Sequence, residues 1–288
     1  MDKVWNLVAD IGGTNARFSA MVDGQLESKF QYLHSVEEYP KFEDLICILL
    51  QEIASETGWH NPPNRVCVAV ACPADTEIIA FTNSHWTFTK TNLKRDLGCA
   101  HLSIINDFEA VAHGITELSD SDLVQVGGLE PVDNKAKGIL GAGTGLGVAG
   151  LVPHDDGYLV LDTEGGHADY SPISDLHSAV VNCLRARFGR VSLERLLSGK
   201  GLLNIYSALC SIEGVPMIFS TPAEITAAAL NSTDTKALQT LNMFCEGIGA
   251  AAGNLALTFG AKGGIYIAGG VIPRFQEFFI KSGFRKKF

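Results

Sequence analysis

Apolar and polar positions change period several times along the chain. Val4, Leu7, Val8 and Ala9 give way to Asp10-Ile11-Gly12-Gly13-Thr14-Asn15-Ala16-Arg17 before apolar residues return, which predicts a hairpin with a glycine turn. Residues 25–34 alternate loosely and predict a third strand that closes a meander. The period then lengthens: from Val36 to Thr57, Phe42, Leu45, Ile46, Leu49, Leu50 and Ile53 recur at helical spacing, and Gly58 is a stop. Pro62-Pro63 leads into the valine-rich run Arg65–Ala71, a buried strand ended by Pro73. Residues 81–88 mix polar and aromatic side chains, which suits a loop bordering a pocket rather than a core segment. Thr89 or Thr91 caps a short helix ending at Gly98, and strand 101–105 runs into Asn106-Asp107 and an apolar helix with Phe108, Val111, Ala112 and Ile115.

The second half repeats the opening theme. Residues 119–135, rich in turn-forming side chains, predict a crossover, so the expected domains are 1–117 and 118–288, both α/β. Lys137–Leu140 predicts a strand, Gly141-Ala142-Gly143-Thr144-Gly145-Leu146-Gly147 a turn, Val148–Val152 the partner strand and Tyr158–Leu161 another. Helical spacing returns at 174–188, and Ser192 and Glu194 predict a helix stopping near Ser198-Gly199. A short helix over 222–230 precedes a long one over 234–259, whose glycines and alanines near 247–253 permit close backbone packing. Gly264–Ala268 predicts a buried strand, Gly269-Gly270 a turn and Pro273–Phe279 the start of a helix, after which the last residues complete no element.

Composition narrows the function classes. With 288 residues and 46% hydrophobic side chains, the chain can build two modest domains. A net charge of -10 argues against a nucleic-acid or anionic-membrane partner and favours a small molecule. No secretion leader or membrane-length apolar run is read, so a cytoplasmic location is expected. Seven cysteines at 47, 67, 72, 99, 183, 210 and 245 form no Cys-x-x-Cys pair and are expected as buried free thiols.

Candidate chemistry clusters at the turns. Exposed N–H groups on the Gly12-Gly13 turn, with Thr14 and Asn15 as side-chain donors, suit a phosphate, while Asp10 suits a divalent cation bridging to the phosphate oxygens; an ordinary hairpin with a surface Asp is the alternative. The turn at 141–147 is a second cradle of this kind, and it lacks the Lys-Ser/Thr and following helix of the common nucleotide motifs. Asn83 is a ligand candidate or a plain turn residue. Asp107, at a strand-to-helix junction, either caps the helix or faces a ligand crevice. Glu164 and His167 flank two glycines and could converge on one ligand, although the Gly-Gly breaks the helix that usually presents a metal-binding Glu-x-x-His. Glu194 has a plain reading as a first-turn carboxylate.

Together, DIGGTNAR (10–17), TNSHW (82–86), INDFEAV (105–111), GAGTGLG (141–147), EGGHADY (164–170), SLERLLSG (192–199) and IAGGVIPR (267–274) closely resemble the bacterial-type glucokinases. The resemblance implies a two-domain actin-like, hexokinase-like ATPase fold, with ribonuclease H-like duplicated halves and an interdomain cleft. It implies that Asp10, Gly12, Gly13, Thr14 and Asn15 meet ATP phosphates and Mg2+, that Gly143 and Thr144 grip the phosphates from the other domain, and that Gly269 and Gly270 lie by the adenosine. Asn83, Asn106, Asp107, Glu164, His167 and Glu194 would ring the sugar, with Asp107 as base. The implied reaction is ATP-dependent phosphorylation of glucose at the 6-hydroxyl by a homodimer. Phosphoryl transfer needs in-line positioning, a cation, donors to phosphate and one carboxylate aimed at the attacking oxygen, and these residue types supply them.

The zinc motif of repressor-type sugar kinases is missing, which places the sequence outside that branch. The resemblance also implies a C-terminal helix that returns to the N-terminal domain, a segment expected to lie beyond residue 288, whether the chain is a fragment or a natural variant. A kinase for another hexose or amino sugar, and a non-catalytic sugar-sensing regulator, are the competing readings.

Overall fold

The structure is a computed structural model that describes residues 3–22, 25–81, 84–155 and 157–288, with the backbone alone for 25–29. It forms two compact units, Met1–Ala110 and Val111–Phe288.

In the first unit, β1 (Trp5–Ile11), β2 (Asn15–Val22) and β3 (Gln25–Ser35) form the expected antiparallel meander. Along β1 the alternation is clean: Trp5, Leu7, Ala9 and Ile11 are buried while Asp10 is exposed. The helix expected from residue 36 begins later, as α1 (Phe42–Thr57), because Pro40 disfavours a helical Tyr39 and Val36–Glu38 close only a short 3-10 turn. Gly58 ends α1 in the left-handed conformation at φ 74°. Then follow β4 (Arg65–Val70), β5 (Ile78–Ala80), β6 (Thr87–Thr89), α2 (Lys90–Leu97) and β7 (His101–Asn106), leading into α3 (Asp107–Ile115). The sheet order is β3-β2-β1-β4-β7, with β4 parallel to both β1 and β7.

The pocket-loop expectation for 81–88 is overturned at its aromatics. Phe81, Trp86 and Phe88 are buried in the core of this unit, Phe88 stacks on Phe42 with ring centroids 4.6 Å apart, and the Trp86 indole donates to the Tyr39 carbonyl at 2.9 Å. Three large rings outweigh the polar residues between them, because each buried aromatic removes a large apolar area from water. Asn83 lies outside the described residues.

The second unit begins within α3. After a stretch whose only helix is a 3-10 turn at Asp120–Asp122, β8 (Lys137–Ala142), β9 (Leu146–His154) and β10 (Gly157–Thr163) form another meander. Helices α4 (Asp175–Phe188), α5 (Gly199–Glu213), α6 (Pro222–Leu230) and α7 (Thr235–Phe259) precede β11 (Ile265–Ala268), α8 (Gln276–Lys281) and α9 (Phe284–Lys287). The sheet order is β10-β9-β8-β11, with β11 parallel to β8.

Two helix expectations change here. Residues 193–198 are turns, and α5 starts where a helix was expected to stop, because Ser198 is its N-cap: the Oγ accepts from Gly201 N–H at 3.0 Å. The chain's last residues do build an element, α9, and it explains the small residues of α7. A Cβ at Gly249 would lie 2.3 Å from the Phe284 carbonyl oxygen, and one at Gly253 would lie 2.5 Å from that of Phe288. All seven cysteines are free thiols; Cys72, Cys99, Cys210 and Cys245 are buried as expected, but Cys47 is exposed and Cys67 and Cys183 are half-buried. Burial pushes the Cys245 thiol up to about 12, which suits packing and not nucleophilic chemistry.

Candidate active site

The first glycine turn joins β1 to β2. Gly12 N–H donates to the Asn15 carbonyl at 2.9 Å, and Val36 N–H donates to the Thr14 carbonyl at 2.9 Å, tying the turn to the end of β3. Thr14 is exposed, and Gly12, Gly13 and Asn15 are half-exposed. Asp10 stands opposite Arg17, whose Nη1 donates to its Oδ2 at 3.0 Å, with 55% of the Asp10 side chain in solvent.

Sheet register brings a second carboxylate to the same edge. Ile11, Val70 and Asn106 are in line across parallel β1, β4 and β7, so Asp10, one residue before the row, and Asp107, one after it, lie at the same sheet end, two strand spacings (about 10 Å) apart across the sheet and two residues apart along it. Ligands of open α/β sheets bind beyond this carboxyl end. The helix cap at this junction is Asn106 and not Asp107: the Asn106 Oδ1 accepts Phe108 N–H at 2.7 Å. Asp107 is instead the first residue of α3, where the helix dipole favours a negative charge. Its charge, added to burial, raises the thiol of Cys72.

In the second unit, Gly143-Thr144-Gly145 joins β8 to β9. Gly143 N–H donates to the Gly145 carbonyl at 2.9 Å, and Gly199 N–H, opening α5, donates to the Gly143 carbonyl at 2.8 Å. Glu194 is not a first-turn helix residue. Its Oε2 accepts Leu146 N–H at 3.1 Å, and a Cβ on Gly145 would sit 2.5 Å from that oxygen. The loop at 164–168 packs on the same turn: a Cβ on Gly166 would lie 1.9 Å from the Leu146 carbonyl oxygen, and Gly166 accepts Glu194 N–H at 2.9 Å. Glu164 and His167 do approach each other, with Oε2 and Nε2 3.7 Å apart, and both side chains are more than half exposed. Gly269 and Gly270 follow β11 at this same sheet end, since Ala268 is in register with Gly141 and Val271 N–H donates to the Ala142 carbonyl at 3.1 Å. Gly269 has φ 88° and its Cβ would lie 2.3 Å from the Ala142 oxygen, so a glycine is required there.

Beyond the expected residues, the structure adds a buried network. Tyr170 Oη lies 2.6 Å from His177 Nδ1, and His177 Nε2 lies 3.3 Å from Glu246 Oε2. The arrangement in which Tyr170 donates to Nδ1 and Nε2–H donates to Glu246 satisfies all three groups with a neutral ring. His177 shares the buried stripe of α4 with Val180, Val181 and Leu184, the pattern signal that marks it as interior. Among the described residues no three His, Cys, Asp or Glu side chains gather to hold a metal, and no helix is long and apolar enough to cross a membrane.

Comparison with known proteins gives the arrangement a family. The family description Glucokinase matches residues 7–288. Glucokinase from Hahella chejuensis is 42% identical over 285 residues, covering 98% of this chain and 86% of its own length. Among solved structures, a glucokinase from an Antarctic psychrotroph matches with a TM-score of 0.86 at 32% identity, over 100% of this chain and 88% of that one. A ROK family glucokinase from Streptomyces griseus, in complex with glucose and AMPPNP, shares the fold with a TM-score of 0.61 at 17% identity, over 99% of this chain and 88% of that one. With the family match spanning almost the whole chain and identity above two-fifths to a curated relative, this chain belongs to the glucokinase family.

Proposed function

We propose that this chain transfers the γ-phosphoryl group of ATP to the 6-hydroxyl of glucose, with Asp107 as the general base. The observation that carries the reading is the row Ile11–Val70–Asn106, which supports a phosphate-binding hairpin and a catalytic carboxylate at one edge of one sheet. The Streptomyces griseus relative was solved with glucose and AMPPNP, a sugar and a nucleotide of the classes needed here.

The residues divide by chemistry. Asp107 accepts the proton of the 6-hydroxyl as the oxygen attacks phosphorus, so that negative charge does not build on an unassisted nucleophile. Asn83, Asn106, Glu164, His167 and Glu194 supply the sugar with acceptors and donors, Asn106 through its amide nitrogen because its oxygen caps α3. Polar groups that meet each hydroxyl, once the sugar has displaced water from them, reject analogues that leave them unpaired. Gly13, Thr14 and Asn15 offer donors to phosphate oxygens in the first unit and Thr144 does so in the second, while Gly12 and Gly143, whose own N–H groups close their turns, let phosphate approach the backbone, and Gly269 and Gly270 flank the adenosine.

The donor set fits Mg2+ carried by the nucleotide. Asp10 is a single, mostly exposed carboxylate beside the turn, and Mg2+ characteristically takes one or two carboxylates together with phosphate oxygens and water. Such an ion would neutralise charge developing on the transferred group. The same reading takes the chain as a cytoplasmic homodimer, which analytical ultracentrifugation checks.

A coupled ADP-release assay across glucose, mannose, fructose and N-acetylglucosamine tests the function. Glucose is expected to give the highest kcat/KM. Preference for an amino sugar would move the chain to another substrate, and glucose binding without any ADP release would mark a regulator.

A further inference from the structure

We propose that Glu194 fastens the second glycine turn in its phosphate-binding shape, so that one carboxylate serves both the sugar and the nucleotide and couples their binding. The inference rests on the function proposed above and assigns Glu194 a second role as a positioning residue.

The segment 194–199 holds the turn at both ends. At the entry, Gly199 N–H donates to the Gly143 carbonyl at 2.8 Å; at the exit, Leu146 N–H donates to Glu194 Oε2 at 3.1 Å. Between them Gly145 leaves room for the carboxylate, because any side chain there would begin 2.5 Å from Oε2. The Glu194 backbone is fixed in turn. Its N–H donates to the Gly166 carbonyl at 2.9 Å, and its carbonyl accepts from Ser198 Oγ at 2.8 Å, the same oxygen that caps α5. Gly166 in turn lies in the loop that carries Glu164 and His167, so the sugar loop and the nucleotide turn share one anchor.

A turn that grips phosphate works by aiming N–H groups outward, and a Leu146 N–H left without an acceptor would let it rotate out of that shape. Glu194 removes that freedom. Oε2 is committed to the turn, which leaves Oε1 to meet a sugar hydroxyl. A sugar drawing on Oε1 then fixes the position of Oε2, and through it the turn, so sugar and nucleotide tighten each other by the same factor.

Titration calorimetry separates this role from sugar contact alone, using AMPPNP with Mg2+ on the sugar-free chain and D-glucose on the nucleotide-free chain. Glu194→Ala is expected to weaken AMPPNP about tenfold without any sugar present, the scale of one charge-assisted hydrogen bond. Glu164→Ala, which removes no bond to the turn, is expected to weaken glucose and leave AMPPNP unchanged. Two gentler variants decide the matter should the alanine variant fail to fold. Glu194→Gln keeps an acceptor within reach of Leu146 and should bind AMPPNP within about threefold of the parent, whereas Glu194→Asp keeps the charge but withdraws it by one methylene and should lose about tenfold. Sugar-free AMPPNP affinity that is unchanged in Glu194→Ala, or equal in the Gln and Asp variants, overturns the inference while leaving the kinase assignment intact. A parent chain that neither binds AMPPNP nor phosphorylates glucose overturns the assignment, and the inference with it.

Discussion

The two glycine turns have the same strand-turn-strand plan and are held in different ways. Each joins the first two strands of a meander whose first strand also pairs in parallel with a later one, β1 with β4 and β8 with β11. The first turn keeps its shape with bonds from Gly12 to Asn15 and from Val36, just past β3, to Thr14, and the Asp10 carboxylate beside it stays mostly in solvent against Arg17. The second is clamped from outside by Glu194, Gly199 and Gly166, none of them in its meander. A lightly held turn beside an exposed carboxylate suits a cation and a phosphate that arrive together. A clamped turn suits a donor array that must be in place beforehand. On the proposed function, the contrast is expected to place chemistry with the first unit and pre-organised binding with the second.

The sharpest test of that division is Asp107. If the first unit carries the chemistry, Asp107→Asn should lower kcat at least about 100-fold, the scale of losing a general base, while glucose affinity by calorimetry stays within a few-fold. A variant that turns over near the parent rate would take the base out of this unit.

A methyl group at Gly166 meets the Leu146 backbone at 1.9 Å, whereas one at Gly12 meets its nearest neighbour, the Asn15 oxygen, at an ordinary 3.6 Å. Gly166→Ala should therefore cost about 2 kcal/mol or more in urea unfolding, and Gly12→Ala less than about 1 kcal/mol. Equal costs would mean that the two turns are equally constrained.

Asp10 gives a smaller effect and a cleaner separation. Because its pair with Arg17 is mostly exposed, Asp10→Asn should change stability by less than about 1 kcal/mol. The KM for MgATP should nonetheless rise about tenfold, the scale of one charged contact, with the KM for glucose little changed. A fall in melting temperature without a change in KM would make Asp10 a structural residue of the hairpin.

How much of this was legible depends on the range of the interaction. The hairpins at 10–17 and 141–147 were readable because alternation and glycines are local signals, and β1, β2, β8 and β9 form where they predict. The sequence left Asp107 open between a helix cap and a ligand group because Asn and Asp are both good caps, and only the Asn106–Phe108 bond gives the cap to Asn106. Ser192-x-Glu194 resembles a helix start, yet the Glu194 carboxylate bonds a backbone amide 48 residues away, and no local pattern encodes that partner. The aromatics at 81–88 were read from their polar neighbours, when their size decided their burial. The sugar and nucleotide roles came from the resemblance of whole motifs, because an isolated Asp or Glu carries no substrate in its spacing.

The last test uses the second unit's buried histidine. Burial holds His177 below the ordinary imidazole range, with the nearby Lys287 charge acting in the same direction and Glu246 opposing it. The native ring is therefore neutral where an unfolded one, near the usual 6.5, begins to take a proton. Unfolding then takes up protons, so the contribution is fully present above about pH 6.5 and is lost as pH falls towards the depressed native value. Melting temperature should fall between pH 7.5 and 5.5, as the unfolded ring takes up a proton that the native ring cannot accept without losing Nδ1 as acceptor from Tyr170 and placing a charge on the buried stripe of Val180, Val181 and Leu184. His177→Gln, which cannot titrate, should melt lower at pH 7.5 but change less over the same interval. Parallel pH profiles for parent and variant would show that the acid sensitivity arises elsewhere, and the buried network would then be a packing feature that does not distinguish the two units.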